Sequence, residues 1–155
     1  MCLITKQLHP KIADNDIICY KVLLKTKTGE RTSYVSPIQH WFYFKDEPDP
    51  NYVFVPDKSY WLLEKNEDIK PSYVDNLGIV NPYPVNYELY SGYFHMYKNK
   101  EDAEKFMTVY RVLSLSIFEC VIPKGSKYYE GTCQMQNLIA DSIASDKLIV
   151  KKQLC

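Results

Sequence analysis

The stretch Ser91-Gly92-Tyr93-Phe94-His95-Met96-Tyr97 sets a histidine between aromatic residues, directly before a helix-like segment. Strand ends and helix N-termini present oriented backbone N–H groups to small ligands. Alternation along a strand puts Tyr93, His95 and Tyr97 on one face and Phe94 and Met96 on the other, toward a core. An open Tyr-His-Tyr face could stack a nucleobase or donate to a phosphate. A strand packed on both sides would use the same residues. Lys21 and Lys25 on an early strand, with Arg31 and Lys124, can bring positive charge to such a pocket. A second cluster runs from Pro123 through Lys124, Gly125, Ser126, Lys127, Tyr128, Tyr129 and Glu130 to Gly131. As chemistry, Lys124 and Lys127 would contact an anion while Tyr128 closes over it; as plain structure, it is a solvent-facing hairpin loop. The candidate ligand-binding set is therefore Tyr93, His95, Tyr97, Lys21, Arg31, Lys124, Lys127 and Tyr128.

Other chemistries have weaker support. His9, His40 and His95 are far apart and form no H-x-x-x-H pair, so no metal site and no cofactor is expected. The acidic runs Asp46-Glu47-Asp49 and Glu64 to Asp68 lack the calcium-loop pattern and suit solvated loops. No G-x-S-x-G elbow occurs, and Glu88 with Glu119 could share acid–base work only if the fold joined them. Only five glycines are present, and no Gly-rich phosphate loop can be written with them. Five cysteines, none in C-x-x-C spacing, point to a reduced cytoplasmic protein with free thiols. Cys19 and Cys120 lie in apolar runs and are expected in the core, whereas Cys2 and Cys155 are expected at the surface. Met1 to Pro10 lacks a signal-peptide core, and no run approaches the ~20 apolar residues of a membrane helix.

Several elements could position these residues. Asp16 to Lys25 alternates as a strand, Thr26 to Glu30 is a turn with Gly29 supplying a positive φ, and Arg31 to Ile38 is the return strand. His40 to Phe44 (HWFYF) is a third, short strand. Tyr52–Val55 and Tyr60–Leu63 are apolar pieces of open type, and Asn66 to Tyr90 is irregular, a place for a lid or a partner-facing loop. Gly92–Tyr97 is a strand. Asn99 caps a helix, with Asp102 reaching back toward the cap. Ala103, Phe106, Met107, Tyr110 and Leu113 form one apolar stripe, so the helix spans about residues 99–113 and packs on a sheet. Leu115–Ile122 is a strand that resumes at Lys127–Tyr129, Gln134–Ser142 is a loop or weak helix, and Lys147–Lys152 is the last strand. The order predicts one α+β domain over 1–155, with a mostly antiparallel, strongly curved sheet and one main amphipathic helix.

The chain has 155 residues, 46% of them hydrophobic, and 19 Lys plus Arg balance 19 Asp plus Glu. Zero net charge argues against a partner held by counterion release, such as bulk duplex nucleic acid. Fourteen tyrosines are the compositional oddity, and they suit half-buried sheet faces and binding surfaces alike.

The segments Cys19–Leu23 (CYKVL), Gly92–Ala103 (GYFHMY-x3-EDA), Val121–Gly131 (VIPKGSKYYEG) and Ala144–Val150 (ASDKLIV) resemble a family of small proteins from gut bacteria and their bacteriophages or mobile elements. The likeness covers both ends of the chain and skips its middle. It implies a cytoplasmic, mobile-element-associated protein and carries over no catalytic residue. The chain is also faintly similar to the ADP-ribosyltransferase-like fold, whose split sheet cradles NAD. Members often carry a His or Arg early in the first strand and a Glu late in the chain. Tyr20 and Lys21 stand at the early position here, and no clear Glu motif follows.

Three functions fit. The first is a non-enzymatic binding protein, such as a phage accessory that sequesters a nucleotide-type ligand or blocks a host defence protein. It accounts best for abundant Tyr, balanced charge and the lack of a catalytic signature. The second is an enzyme acting on a nucleotide or NAD-like substrate through His95 or a Glu. The third is a structural virion or homo-oligomer-forming part.

Overall fold

A computed structural model of the chain describes residues 3–33, 41–44, 46–56, 69–72, 79–80, 86–89, 93–110, 114–135 and 138–155. Its elements are β1 (Leu3–Thr5), β2 (Lys11–Ile12), β3 (Ile17–Lys25), β4 (Arg31–Ser33), β5 (Trp41–Phe42), β6 (Ile69–Ser72), β7 (Asn86–Leu89), β8 (Phe94–Tyr97), α1 (Lys100–Val109), β9 (Leu115–Ile122), β10 (Lys127–Met135), β11 (Leu138–Ser145) and β12 (Ile149–Gln153). Strand makes up most of it, in one antiparallel sheet ordered β12-β9-β3-β8-β11-β10-β1-β7-β6, which does not close on itself. The arrangement is sheet-dominated, with a single short helix among the described residues, so it meets the α+β expectation only loosely.

β3 shows how the sequence builds two layers. Its side chains alternate between the faces of the pleat. Cys19 and Leu23 enter one core with Phe118, Cys120 and Ile122 of β9 and with Phe94 and Met96 of β8. Tyr20 and Val22 enter a second core on the other face with Ile117, Tyr97 and Ala140. α1 covers that second face with Ala103 and Phe106, and Met107 and Tyr110 pack at its margin. A fully buried Phe such as this contributes about 1.5–3 kcal/mol. A third, smaller core gathers Leu3, Leu89, Tyr129 and Ala144.

Asn99 adopts extended N-cap dihedrals but makes no side-chain cap bond, and α1 ends at Val109. Residues 111–113, the last turn of the expected helix, lie outside the described residues. Asp102 does not reach back to Asn99. Its carboxylate accepts Lys105 Nζ of the same helix (2.9 Å) and the Asp141 backbone N–H of β11 (3.1 Å), the latter tying helix to sheet.

The β3–β4 hairpin forms as expected, with Gly29 at φ 91°. Other expectations need correction. Gln134–Ser142 is neither loop nor helix: β10 runs on to Met135, and β11 begins at Leu138. The Ala, Ser and Asp of β11 are poor strand formers, but pairing with β10 and β8 on its two edges overrides that preference. Gly131 continues β10 because β1 crosses so closely that a Cβ would overlap the Ile4 carbonyl oxygen. β9 and β10 are not a hairpin: Pro123–Ser126, with Gly125 at φ 83°, carries the chain between separate parts of the sheet. Within the stretch expected to be irregular, Ile69–Ser72 and Asn86–Leu89 pair as β6 and β7.

Candidate functional site

On β8 the backbone sends Phe94 and Met96 into the first core, as alternation requires, and His95 and Tyr97 to the opposite face. That face is not open. His95 is 8% exposed and Tyr97 3%, the latter packed on Phe106 with ring centroids 5.9 Å apart. Burial pushes the Tyr97 hydroxyl's pKa up from its ordinary value. Tyr97 borders a gap of only about 10 Å³, too small for any ligand. Tyr93 is half-buried in an edge-to-face pair with Tyr129. The expectation of a free Tyr-His-Tyr face is thus corrected: Tyr97 packs under Phe106 of α1, Tyr93 packs on Tyr129, and His95 is buried on the same face.

The remaining candidates are scattered. Lys124 and Lys127 are exposed at the Pro123–Ser126 turn, where their backbone N–H groups donate to Asp16 and Asp146. Tyr128 leans on the first core. Glu88 on β7 and Glu119 on β9 have five strands between them, so they share no site. Lys21 and Arg31 do fall on one face, that of Cys19 and Leu23, and both are 4% exposed. Lys21 Nζ donates to the His95 carbonyl (2.8 Å) and sits 5.9 Å from the centre of the Phe42 ring. Burial among apolar groups pushes its pKa down to about 8. The Arg31 guanidinium lies 5.7 Å from the Phe118 ring.

Cys19 and Cys120 face each other across the β3–β9 register as free thiols, and burial pushes Cys120 up to about 12. They are core residues, as expected. Among the described residues no group of three His, Cys, Asp or Glu could hold a metal ion. Nor is any described helix long and apolar enough to cross a membrane.

Among the described residues, two cavities on the Lys21–Arg31 face are both bordered by the segment 46–54. That segment is pinned at three places. Asp49 accepts the Asn51 and Tyr52 N–H groups in a tight turn. Lys151 Nζ donates to the Pro50 carbonyl (2.7 Å). Phe54 bridges to Leu148 through two backbone bonds.

The first cavity, about 320 Å³, is an aromatic cleft lined by Trp41, Tyr43, Phe44, Asp49, Tyr52, Phe54, Val55 and Phe94. Tyr43 is 74% exposed and Tyr52 57%, so they form a rim. Phe54 meets Tyr52 edge-on at 4.7 Å and Phe42 at 5.0 Å, and Phe42 in turn meets Phe94 at 5.6 Å. Such an arrangement offers π faces to a planar ring, with Asp49 as an acceptor for its N–H groups. The second cavity, about 650 Å³, is polar and lies over Lys25, Arg31, Ser116, Lys151, Lys152 and Gln153, with Asp46, Glu47, Pro48 and Pro50 opposite.

None of the aromatic cleft's lining residues is among the sequence candidates. The signal was present in the HWFYF run and in Tyr52–Val55. Their convergence depends on the long-range pairings of Arg31 with Phe42 and Phe54 with Leu148, which no local pattern encodes. No family model, no curated protein and no solved structure matches the chain.

Proposed function

We propose that the protein is a non-enzymatic binding protein for a nucleotide-type ligand, with the aromatic cleft as the seat of the base. The observation that carries this reading is the cluster of Trp41, Tyr43, Tyr52 and Phe54 around one open cleft beside a cavity rich in cations. Base–aromatic stacking contributes about 1–3 kcal/mol per base, enough for a cleft this size to hold one ring. An aromatic cleft with one carboxylate could also cage an alkylammonium group. The cations next door disfavour that occupant and favour a ligand with an anionic end. A ligand held by stacking and charge needs no reacting group from the protein, and sequestration is the activity such a site performs.

Trp41 reports on this directly. In a Trp61→Phe background it is the only tryptophan. Saturable quenching of its fluorescence by an uncharged nucleoside is expected, with affinity falling about 10-fold in Tyr52→Ala. The nucleotide should be recovered chemically unchanged after long incubation. Quenching by tetramethylammonium but by no nucleoside, or turnover of the nucleotide, would overturn the reading.

A further inference from the structure

We infer that the cavity over Arg31 is a subsite for a phosphoryl oxyanion. This rests on the cleft reading only for the anion's identity, since the charge argument stands by itself. Lys25, Arg31 and Lys151 line the cavity with the two carboxylates of Asp46 and Glu47, a local excess of positive charge in a chain that is neutral as a whole; Lys152 also borders it, but its ammonium lies on the opposite face against Glu119. Lys151 is engaged with the Pro50 carbonyl and Lys152 lies 3.7 Å from Glu119. Lys25 makes no ion pair among the described residues, and neither does Arg31.

Arg31 is the decisive residue. It pairs with Phe42 of β5 in the strand ladder, and Lys25 of β3 is its neighbour on the other side. That register fixes it at the inner wall of the cavity, 4% exposed. Its Nη2 makes one long bond, 3.4 Å, to Gln153 Oε1. Its Nε and Nη1 are buried with no acceptor. A guanidinium cannot shed its proton to escape this cost, as a buried lysine can. A planar fork of donors in this condition matches two oxygens of a phosphate, which would supply the missing acceptors once the Gln153 side chain, held by its one long bond, swings aside to open the fork to the cavity. Ser116 and Lys25 line the same cavity and can take the outer oxygens.

The test uses the full chain and inorganic pyrophosphate followed by calorimetry, with Arg31→Met and Lys25→Gln as variants. Pyrophosphate should bind the unmodified protein, more weakly as salt rises. Arg31→Met should weaken it about 10- to 100-fold, and Lys25→Gln severalfold. Arg31→Met removes a buried, under-satisfied charge, so its thermal midpoint without ligand should equal or exceed that of the unmodified protein, which confirms folding. Lys25 is exposed, and its variant keeps the test open should Arg31→Met misfold. Equal pyrophosphate affinity in the unmodified protein and both variants, or no binding at physiological salt, would overturn the inference. An uncharged nucleoside reports on the cleft alone, so failure of one subsite is distinguishable from failure of the other.

Discussion

Among the described residues, the buried carboxylate beneath α1 is Asp102, and the buried cationic side chains on the far side of the same strands are Lys21 and Arg31. Asp102 accepts the Lys105 ammonium of its own helix and the Asp141 backbone N–H of β11, so its charge is satisfied and the second bond holds helix to sheet. Lys21 has one carbonyl acceptor and Arg31 one long amide contact, and among the described residues neither meets a carboxylate. Burying an ionised group without partners is costly, so such groups persist where a ligand or function compensates. The helix face is therefore read as architecture and the Lys21–Arg31 face as the site.

The largest expected effect tests the architectural side. Phe106 lies in the core under α1 against Tyr97 and Tyr110. Phe106→Ala should lower unfolding free energy by about 3–5 kcal/mol in urea titrations. Tyr43→Ala, on the rim of the aromatic cleft, should change it by no more than about 0.5 kcal/mol while weakening nucleoside binding. Equal losses of stability in the two variants would erase the distinction between the faces.

Lys21 sharpens it. In an unfolded chain this lysine keeps its proton to about pH 10.5, but in the fold it releases it near pH 8. Between those values the unfolded state holds more protons, so stability should climb as pH rises from about 8 to 10.5. Below pH 8 the penalty is fully present, up to about 3 kcal/mol. Lys21→Met should therefore be more stable than the unmodified protein at pH 7 and should lack the climb. Denaturation at pH 7 and pH 10 decides, and a destabilised Lys21→Met at pH 7 would show that the lysine is structural.

The same division explains what could be seen in the sequence. β3 and β9 were legible because alternating apolar residues in Ile17–Lys25 and Leu115–Ile122 are a local signal. The amphipathic stripe Ala103, Phe106, Met107 marked the helix for the same reason. β11 was not legible, because its strand character comes from neighbours on both edges. The charge of Lys21 and Arg31 was visible, but their burial is a product of register. The Tyr93-His95-Tyr97 alternation was correct in phase and uninformative about what covers each face. Phase is written in the chain, and cover is decided by tertiary packing.

Asp102 provides the smallest effect and the closest control. At the sequence level its position in the first turn suggested capping, which an exposed acid would do as well. In the fold it is buried, and Asp102→Ala would leave the Asp141 N–H without its acceptor at the helix–sheet junction. The loss should be about 2 kcal/mol, with faster hydrogen exchange at the Asp141 amide and no change in pyrophosphate or nucleoside affinity. Arg31→Met should show the reverse, with stability held or gained and affinity lost. Each buried charge thus has a signature opposite to the other's. If removing Asp102 instead left stability intact, partnering would not separate scaffold from site in this sheet, and the case for reading Arg31 as a ligand contact would lose its control.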